Sequence, residues 1–200
     1  MNNENTFLST FFRSAVANPE KLEAVLSCFQ QRQIDKNCFL LEEGNVSNEY
    51  FILESGLARA YSIDIKGNEV TTAFFVAGKP VFEVASFFLR QESKESIEAI
   101  TPCVVWSISF EELNRLFHGI PEFREFGRSL LVRGFAELKL RMQSVITETA
   151  EVRYIKLIES SSEIIKDAPL KYIASYLGVT DSSLSRIRKD TALQTTKKVN

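Results

Sequence analysis

The stretch "YIASYLGVTDSSLSRIRK", Tyr172–Lys189, decides how this chain is read. Ile173 and Leu177 on one side of Gly178, with Leu184 and Ile187 on the other, recur at helical spacing and can share an apolar face. Ala174 is small where two helices would cross closely. Gly178 falls where a chain leaves a helix through positive φ, a conformation glycine adopts without a Cβ clash. Thr180 suits the N-cap of a second helix, and Asp181 suits its positive end. The pattern predicts two short helices joined by a tight turn.

With Leu184 and Ile187 turned inward, Ser182, Ser183, Ser185, Arg186 and Lys189 are left outward. Hydroxyls and backbone amides at a helix start hold phosphates, and an arginine one turn on can take a guanine edge with two hydrogen bonds. Arg186 is the expected base reader, while Arg188 and Lys189 suit phosphates. The candidate DNA contacts are therefore Thr180, Asp181, Ser182, Ser183, Ser185, Arg186, Arg188 and Lys189. Two amphipathic helices that merely close a domain would share the same apolar pattern, so the rest of the chain must decide.

The net charge of −2 over 200 residues hides an asymmetry. From Pro169 to Asn200 there are six basic and two acidic residues, a balance of +4, which leaves −6 on the rest. A basic end piece on an acidic body points to an anionic partner. The three cysteines, Cys28, Cys38 and Cys103, form no CxxC pair and are an odd number. They read as buried thiols in a reducing cytosol rather than as a disulfide framework or metal cluster. The first thirty residues lack a signal-peptide pattern, and no apolar run approaches the ~20 residues of a spanning helix. The expected location is cytoplasmic, away from the membrane.

All sixteen phenylalanines lie at or before Phe135. Phe7–Phe29 reads as helical, with Pro19 suited to a first turn. From Cys38 to Ser109 the chain turns to short runs rich in β-branched and aromatic residues, "CFLLEEGN", "EYFILESG", "LARAYSID", "EVTTAFFV" and "VVWSIS", with "IKGN" as a hairpin connection. That spacing predicts a barrel or jelly roll. A long helix is expected from Glu122 to Glu159. Within it Leu131, Phe135, Leu138, Met142, Val145, Thr149 and Val152 alternate at four- and three-residue spacing, a heptad seam with one polar member. Such a seam can pack on its own β-domain or pair about a two-fold axis, and its length and regularity favour pairing. "SSSEIIKDA" reads as a junction to the basic end piece.

The order helix, β-roll, long helix, helix-turn-helix resembles the Crp/Fnr superfamily of transcription regulators over nearly the whole chain. "LEEGNVSNEYFILESGLARAY" is similar to the family's early roll strands, with Gly44 and Gly56 at turn glycines, and "IASYLGVTDSSLSRIRK" is similar to its DNA-binding signature. The resemblance implies an α+β fold in three parts. Residues 1–121 form an N-terminal helix and jelly-roll sensor domain, 122–159 a dimerisation helix, and 160–200 a small helix-turn-helix domain without a clear wing. It implies a homodimer on a near-palindromic operator, with Thr180, Asp181, Ser182 and Arg186 at operator-contact positions. Double-stranded DNA, a second copy and RNA polymerase are the expected partners.

The family's cyclic-nucleotide pocket uses a Gly-Glu pair and a later Arg-Ser or Arg-Thr pair. Here "PVFEVASFF" keeps Glu83 but places Phe82 at the glycine, and "RQESKESIEAIT" places Ser93 and Lys94 at the second pair. A buried phosphate wants a fixed cation and convergent amides. The candidate effector pocket, Phe82, Glu83, Val84, Arg90, Ser93 and Lys94, therefore argues against cyclic AMP and leaves any other effector open. No cofactor is implied. After Lys189, "DTALQTTKKVN" leaves no room for a wing hairpin, so Lys197 and Lys198 are candidates for extra phosphate contacts. A single histidine, His118, rules against a several-imidazole metal site or a catalytic triad, so an enzyme is not expected. The competing reading is a dimeric β-roll that binds protein or a small ligand and carries a helix pair that never touches DNA.

Overall fold

The structure, a computed structural model, describes residues 6–197. Two helices open it, α1 (Thr6–Arg13) and α2 (Pro19–Leu26). The single helix expected over Phe7–Phe29 is thus divided. Pro19 begins α2, and Asn18 caps it by accepting the Lys21 amide hydrogen at 3.0 Å. A proline has no N–H to bond back into a preceding turn, so α1 cannot run through it.

The strands are β1 (Gln30–Ile34), β2 (Phe39–Leu41), β3 (Glu49–Ser55), β4 (Ala58–Ile63), β5 (Glu69–Phe75), β6 (Pro80–Val81), β7 (Ser96–Ala99) and β8 (Cys103–Ser109). They form two antiparallel sheets, ordered β1-β8-β3-β6 and β2-β7-β4-β5. The core between them holds Phe51, Leu53, Ala60, Ile97, Ala99 and Val105. The roll follows the alternating apolar runs of the sequence. β1 escaped that reading because "QQRQI" is polar; four of its five residues are exposed, and it is a strand only through pairing with β8. Gly56 closes the β3–β4 turn at φ +98°, and a Cβ there would lie 2.5 Å from the Pro102 carbonyl oxygen. Both the conformation and the space demand glycine.

A short helix, α3 (Val84–Leu89), separates β6 from β7. After β8 come α4 (Phe110–Gly119) and α5 (Pro121–Thr147), the latter starting on a proline. Phe12 of α1 packs against Phe29, Phe123 and Phe126, so the phenylalanine-rich half seals the N-terminal helices, the roll and α5 into one core.

The helix expected from Glu122 to Glu159 is two helices, α5 and α6 (Ala150–Ser160). At the break Glu148 and Thr149 are extended, the Thr149 hydroxyl accepts the Val152 amide hydrogen, and Ser144 donates to the Glu148 carboxylate at 2.6 Å. Thr149 is therefore a cap, and with Val152 it leaves the seam that Leu131, Phe135, Leu138, Met142 and Val145 keep on α5. The junction "SSSEIIKDA" also differs from expectation: it contains α7 (Ser162–Asp167), which buries Ile164. The helices α8 (Leu170–Tyr176) and α9 (Asp181–Lys197) end the described chain. Lys197 closes α9, and Lys198 lies outside the described residues. The cysteines are less buried than expected: Cys103 is buried, Cys28 half-buried and Cys38 exposed, because Cys38 sits in the turn before β2. Among the described residues no helix is long and apolar enough to cross a membrane.

Candidate nucleic-acid interface and effector pocket

The turn between α8 and α9 is built by Gly178. It takes φ +69°, and its amide donates to the Ser175 carbonyl while the Val179 amide donates to Ala174, each at 3.0 Å. That pair of bonds is a Schellman closure, which satisfies carbonyls the helix end would leave open. Thr180 then caps α9: its hydroxyl accepts the Ser183 amide hydrogen at 3.3 Å and lies 3.0 Å from the Ser182 hydroxyl. Leu184 is fully buried against Ile173 and Leu177, beside Tyr154 and Leu157 of α6.

Seven of the eight sequence-predicted contacts are exposed: Thr180, Asp181, Ser182, Ser185, Arg186, Arg188 and Lys189. Ser183 is half-buried, held by its cap. At about 100° per residue, Ser182, Ser185, Arg186 and Lys189 fall within one ~100° face, with Asp181 and Arg188 together at its flank. A rigid helix thus presents a compact donor surface whose anchoring groups are already satisfied.

The predicted pocket is assembled differently from its pattern. Phe82 is half-buried, its ring 4.7 Å from Tyr50 and 5.8 Å from Phe88, packed against the core through an aromatic cluster. Glu83 spends its carboxylate capping α3, accepting the amide hydrogens of Ala85 and Ser86. Val84 is exposed. Arg90, at φ +55°, donates to the Ser47 carbonyl at 2.6 Å and to Asn48, and lies 4.2 Å from the Phe110 ring. Ser93 is buried with its hydroxyl on the Glu95 carbonyl at 2.7 Å, and Lys94 is exposed. These six residues do not converge on one ligand.

What lies nearby is acidic. Burial pushes the Glu95 carboxyl above the ordinary range, the Glu83 charge adds to that, and Thr72 and Arg141 oppose it. Arg141 is engaged by the carbonyls of Thr72 and Tyr176. A cyclic phosphate beside Glu95 would meet the Glu83 and Glu95 carboxylates, and Arg141, the cation that acts on Glu95, is already held by two carbonyls, so these residues do not supply the fixed cation and convergent donors a cyclic nucleotide wants.

Two arginines were missed by sequence reasoning. Arg59 on β4 is completely buried and paired with Glu98 and Glu69. Arg153 on α6 donates to the Glu148 carbonyl at 2.6 Å and the Leu177 carbonyl at 2.7 Å, tying the α5–α6 break to the end of α8. Neither carries a local signal, since their partners come from other elements. His118 is exposed in the last turn of α4.

Residues 31–119 match the cyclic nucleotide-binding domain family. The fold is similar to that of FixK2 from Bradyrhizobium japonicum, with a TM-score of 0.72 and 15% identity over 83% of this chain and 85% of that one. It is also similar to CLP, the c-di-GMP-responsive global regulator of Xanthomonas campestris, with a TM-score of 0.68 and 15% identity over 88% and 93%. A third likeness is to the catabolite activator protein of Thermus thermophilus, with a TM-score of 0.55 and 20% identity over 92% and 87%. Identities at this level establish a shared architecture. No curated protein matches the sequence.

Proposed function

We propose that this chain, a cyclic nucleotide-binding-domain roll set in the architecture of Crp/Fnr regulators, is a DNA-binding transcription regulator that acts as a homodimer in the cytoplasm. The observation that carries the reading is the exposed face of α9. Ser182, Ser185, Arg186 and Lys189 share it, while the turn, cap and apolar anchor behind it are complete. Arg186 reads a base edge in the major groove; Arg188, Lys189 and the hydroxyls near the helix start hold phosphates.

The seam on α5 supplies the second copy. Phe135 is 72% exposed and Leu138 60%, with Leu131, Met142 and Val145 beside them on the same stripe. An uncovered apolar stripe of this length on one helix favours pairing with its own kind. Two-fold pairing there would set two α9 helices for half-sites about one DNA turn, ~34 Å, apart. The proposed parts are the roll, residues 1–121, the α5–α6 connector, 122–159, and the reader, 160–200. The residues from Asp190 to Lys197 continue α9 as helix. RNA polymerase is the further partner such a regulator would address. No catalytic role is assigned.

Selection of genomic fragments with the purified full chain tests this. The expected result is enrichment of a near-palindromic site that Arg186→Ala no longer selects. Equal retention of all fragments by wild type and variant would leave the competing reading, a β-roll binding module with an idle helix pair.

A further inference from the structure

The front of the reader is open, but its back is not. Helix α8 lies on the outer face of β4 and β5, and the contact is polar at its centre. Arg59 is buried completely. Its guanidinium pairs with Glu98 of β7 at 2.7 Å and with Glu69 of β5, donates to the Thr71 hydroxyl at 3.3 Å, and lies between two rings, 4.2 Å from that of Tyr61 and 3.3 Å from that of Tyr172. Tyr172 belongs to α8. The lid on the roll's buried guanidinium is therefore a side chain of the reader.

The contact continues along α8. The Ser175 hydroxyl accepts the Thr71 amide hydrogen at 3.1 Å and lies 3.0 Å from the Thr71 hydroxyl. Tyr176 meets Phe74 edge-on at 5.0 Å between centroids. Arg141 of α5 reaches the Thr72 and Tyr176 carbonyls together, 4.0 Å from the Tyr176 ring. Leu57 and Ile100 of the roll share one apolar cluster with Ile173, Leu177 and Leu184. Lifting α8 would expose this cluster, open the Ser175–Thr71 and Tyr176–Arg141 contacts and strip the aromatic cover from a buried guanidinium.

We propose that this joint is a closed clasp that holds the reader in its DNA-binding position without an effector, so that operator affinity is independent of cyclic nucleotides. The inference rests on the DNA-binding reading above. Two further observations support it. The reading face of α9 is exposed while the clasp is closed, so nothing in the described chain masks it. The candidate pocket residues do not converge: Glu83 caps α3, Arg90 is held by Ser47 and Asn48, and Arg141, the cation acting on the half-buried Glu95, is held by the Thr72 and Tyr176 carbonyls. A ligand moves a conformational equilibrium only by its differential affinity for the two states. A roll whose candidate residues do not converge on a phosphate, joined to a reader through a buried guanidinium, gives a cyclic nucleotide no such leverage.

The test compares the full-length wild type with Tyr172→Leu, which removes the ring but keeps Arg59 paired with Glu69 and Glu98, and with Arg59→Met. Hydrogen exchange reads the joint without DNA. The expected result is α8 amides exchanging at least about tenfold faster in Tyr172→Leu, with β3 and β8 unchanged. Binding to the selected operator is then measured with and without millimolar cyclic AMP and cyclic GMP. The expected result is wild-type affinity unmoved by either nucleotide and about tenfold weaker binding by Tyr172→Leu. Unchanged α8 exchange in both variants overturns the clasp whatever the DNA result. Tighter operator binding by Tyr172→Leu overturns it in favour of a restraint, and a tenfold gain from either nucleotide overturns effector independence. Wild type that binds no duplex, with α8 exchange still accelerated in the variant, sinks the DNA-binding reading and the effector claim with it, while leaving the clasp itself standing as a structural joint.

Discussion

Arg186 and Arg59 show what one residue type can do in two surroundings. Arg186 stands on an exposed helix face with its fork free for a planar acceptor. Replacing it by alanine is expected to weaken operator binding by about 1–3 kcal/mol and to relax preference at one base pair of each half-site. Arg186→Lys should recover part of the affinity but not the selectivity, because an ammonium lacks the two-pronged geometry. Quantitative binding to operator and single-base variants distinguishes the two effects. Position alone made Arg186 legible in the sequence, since it follows a capped turn by one helical turn. Arg59 was not legible: in "LARAYSID" it looks like a solvated strand residue, and its carboxylates and rings come from β5, β7 and α8. Glu95 was hidden in the same way, inside the polar run "RQESKES". Its carboxyl is raised mainly by burial, so the folded state favours the proton. The penalty is absent below the unfolded carboxyl pKa, grows as pH rises through the folded one and is complete above it. Glu95→Gln is accordingly expected to raise the melting temperature at neutral pH, and the gap to wild type should close as pH falls toward 4, the ordinary carboxylate range. A gap that does not narrow on acidification would mean that burial is not what holds the carboxyl up.

At the scale of the element, the connector is the informative case. A heptad pattern carried the sequence reading through Thr149 and Val152, yet the helix stops at Thr147. The pattern records side-chain spacing and says nothing of where a backbone amide finds its acceptor. The Thr149 hydroxyl offers the Val152 amide a local acceptor in place of the helix ladder, the Glu148 carboxylate takes the Ser144 hydroxyl hydrogen, and Arg153 fixes the result by donating to the Glu148 carbonyl. The seam on α5 survives the break. Phe135→Glu places a charge in the middle of it without touching the core, because Phe135 is largely exposed in the single chain. Sedimentation should show a monomer with an unchanged far-ultraviolet spectrum and a melting temperature no longer dependent on protein concentration, and operator binding should fall with dimerisation. A variant that sediments as a dimer would place the two-fold contact elsewhere. The turn at Gly178 belongs to the same scale. Alanine there must take φ +69°, at a cost of about 1–2 kcal/mol, which chemical denaturation can read.

For the whole molecule, the uneven charge becomes a measurable quantity. Pro169–Asn200, which holds the helix pair, carries a +4 balance and the rest −6, so on the DNA-binding reading attraction to DNA is confined to one end of each protomer and the body is repelled. The sequence order of helix, roll, connector and reader was enough to foresee this arrangement, because periodicity and turn residues are local. It could not foresee the contact between reader and roll, where the deciding partners are distant in the chain. The charge argument survives that gap and fixes how affinity must respond to salt. Each phosphate neutralised contributes about −0.9 to the slope of log affinity against log salt. If Arg188 and Lys189 are phosphate contacts in both protomers, Arg188→Ala with Lys189→Ala removes four of them from the dimer, and the slope should become shallower by about 3.6. The preference for operator over mismatched duplex should stay the same, because neither side chain reads a base. Arg186→Ala should show the opposite, a small change in slope with a large loss of preference. If the double variant instead lost selectivity at an unchanged slope, Arg188 or Lys189 would be reading bases and the orientation of the helix in the groove would have to be rotated.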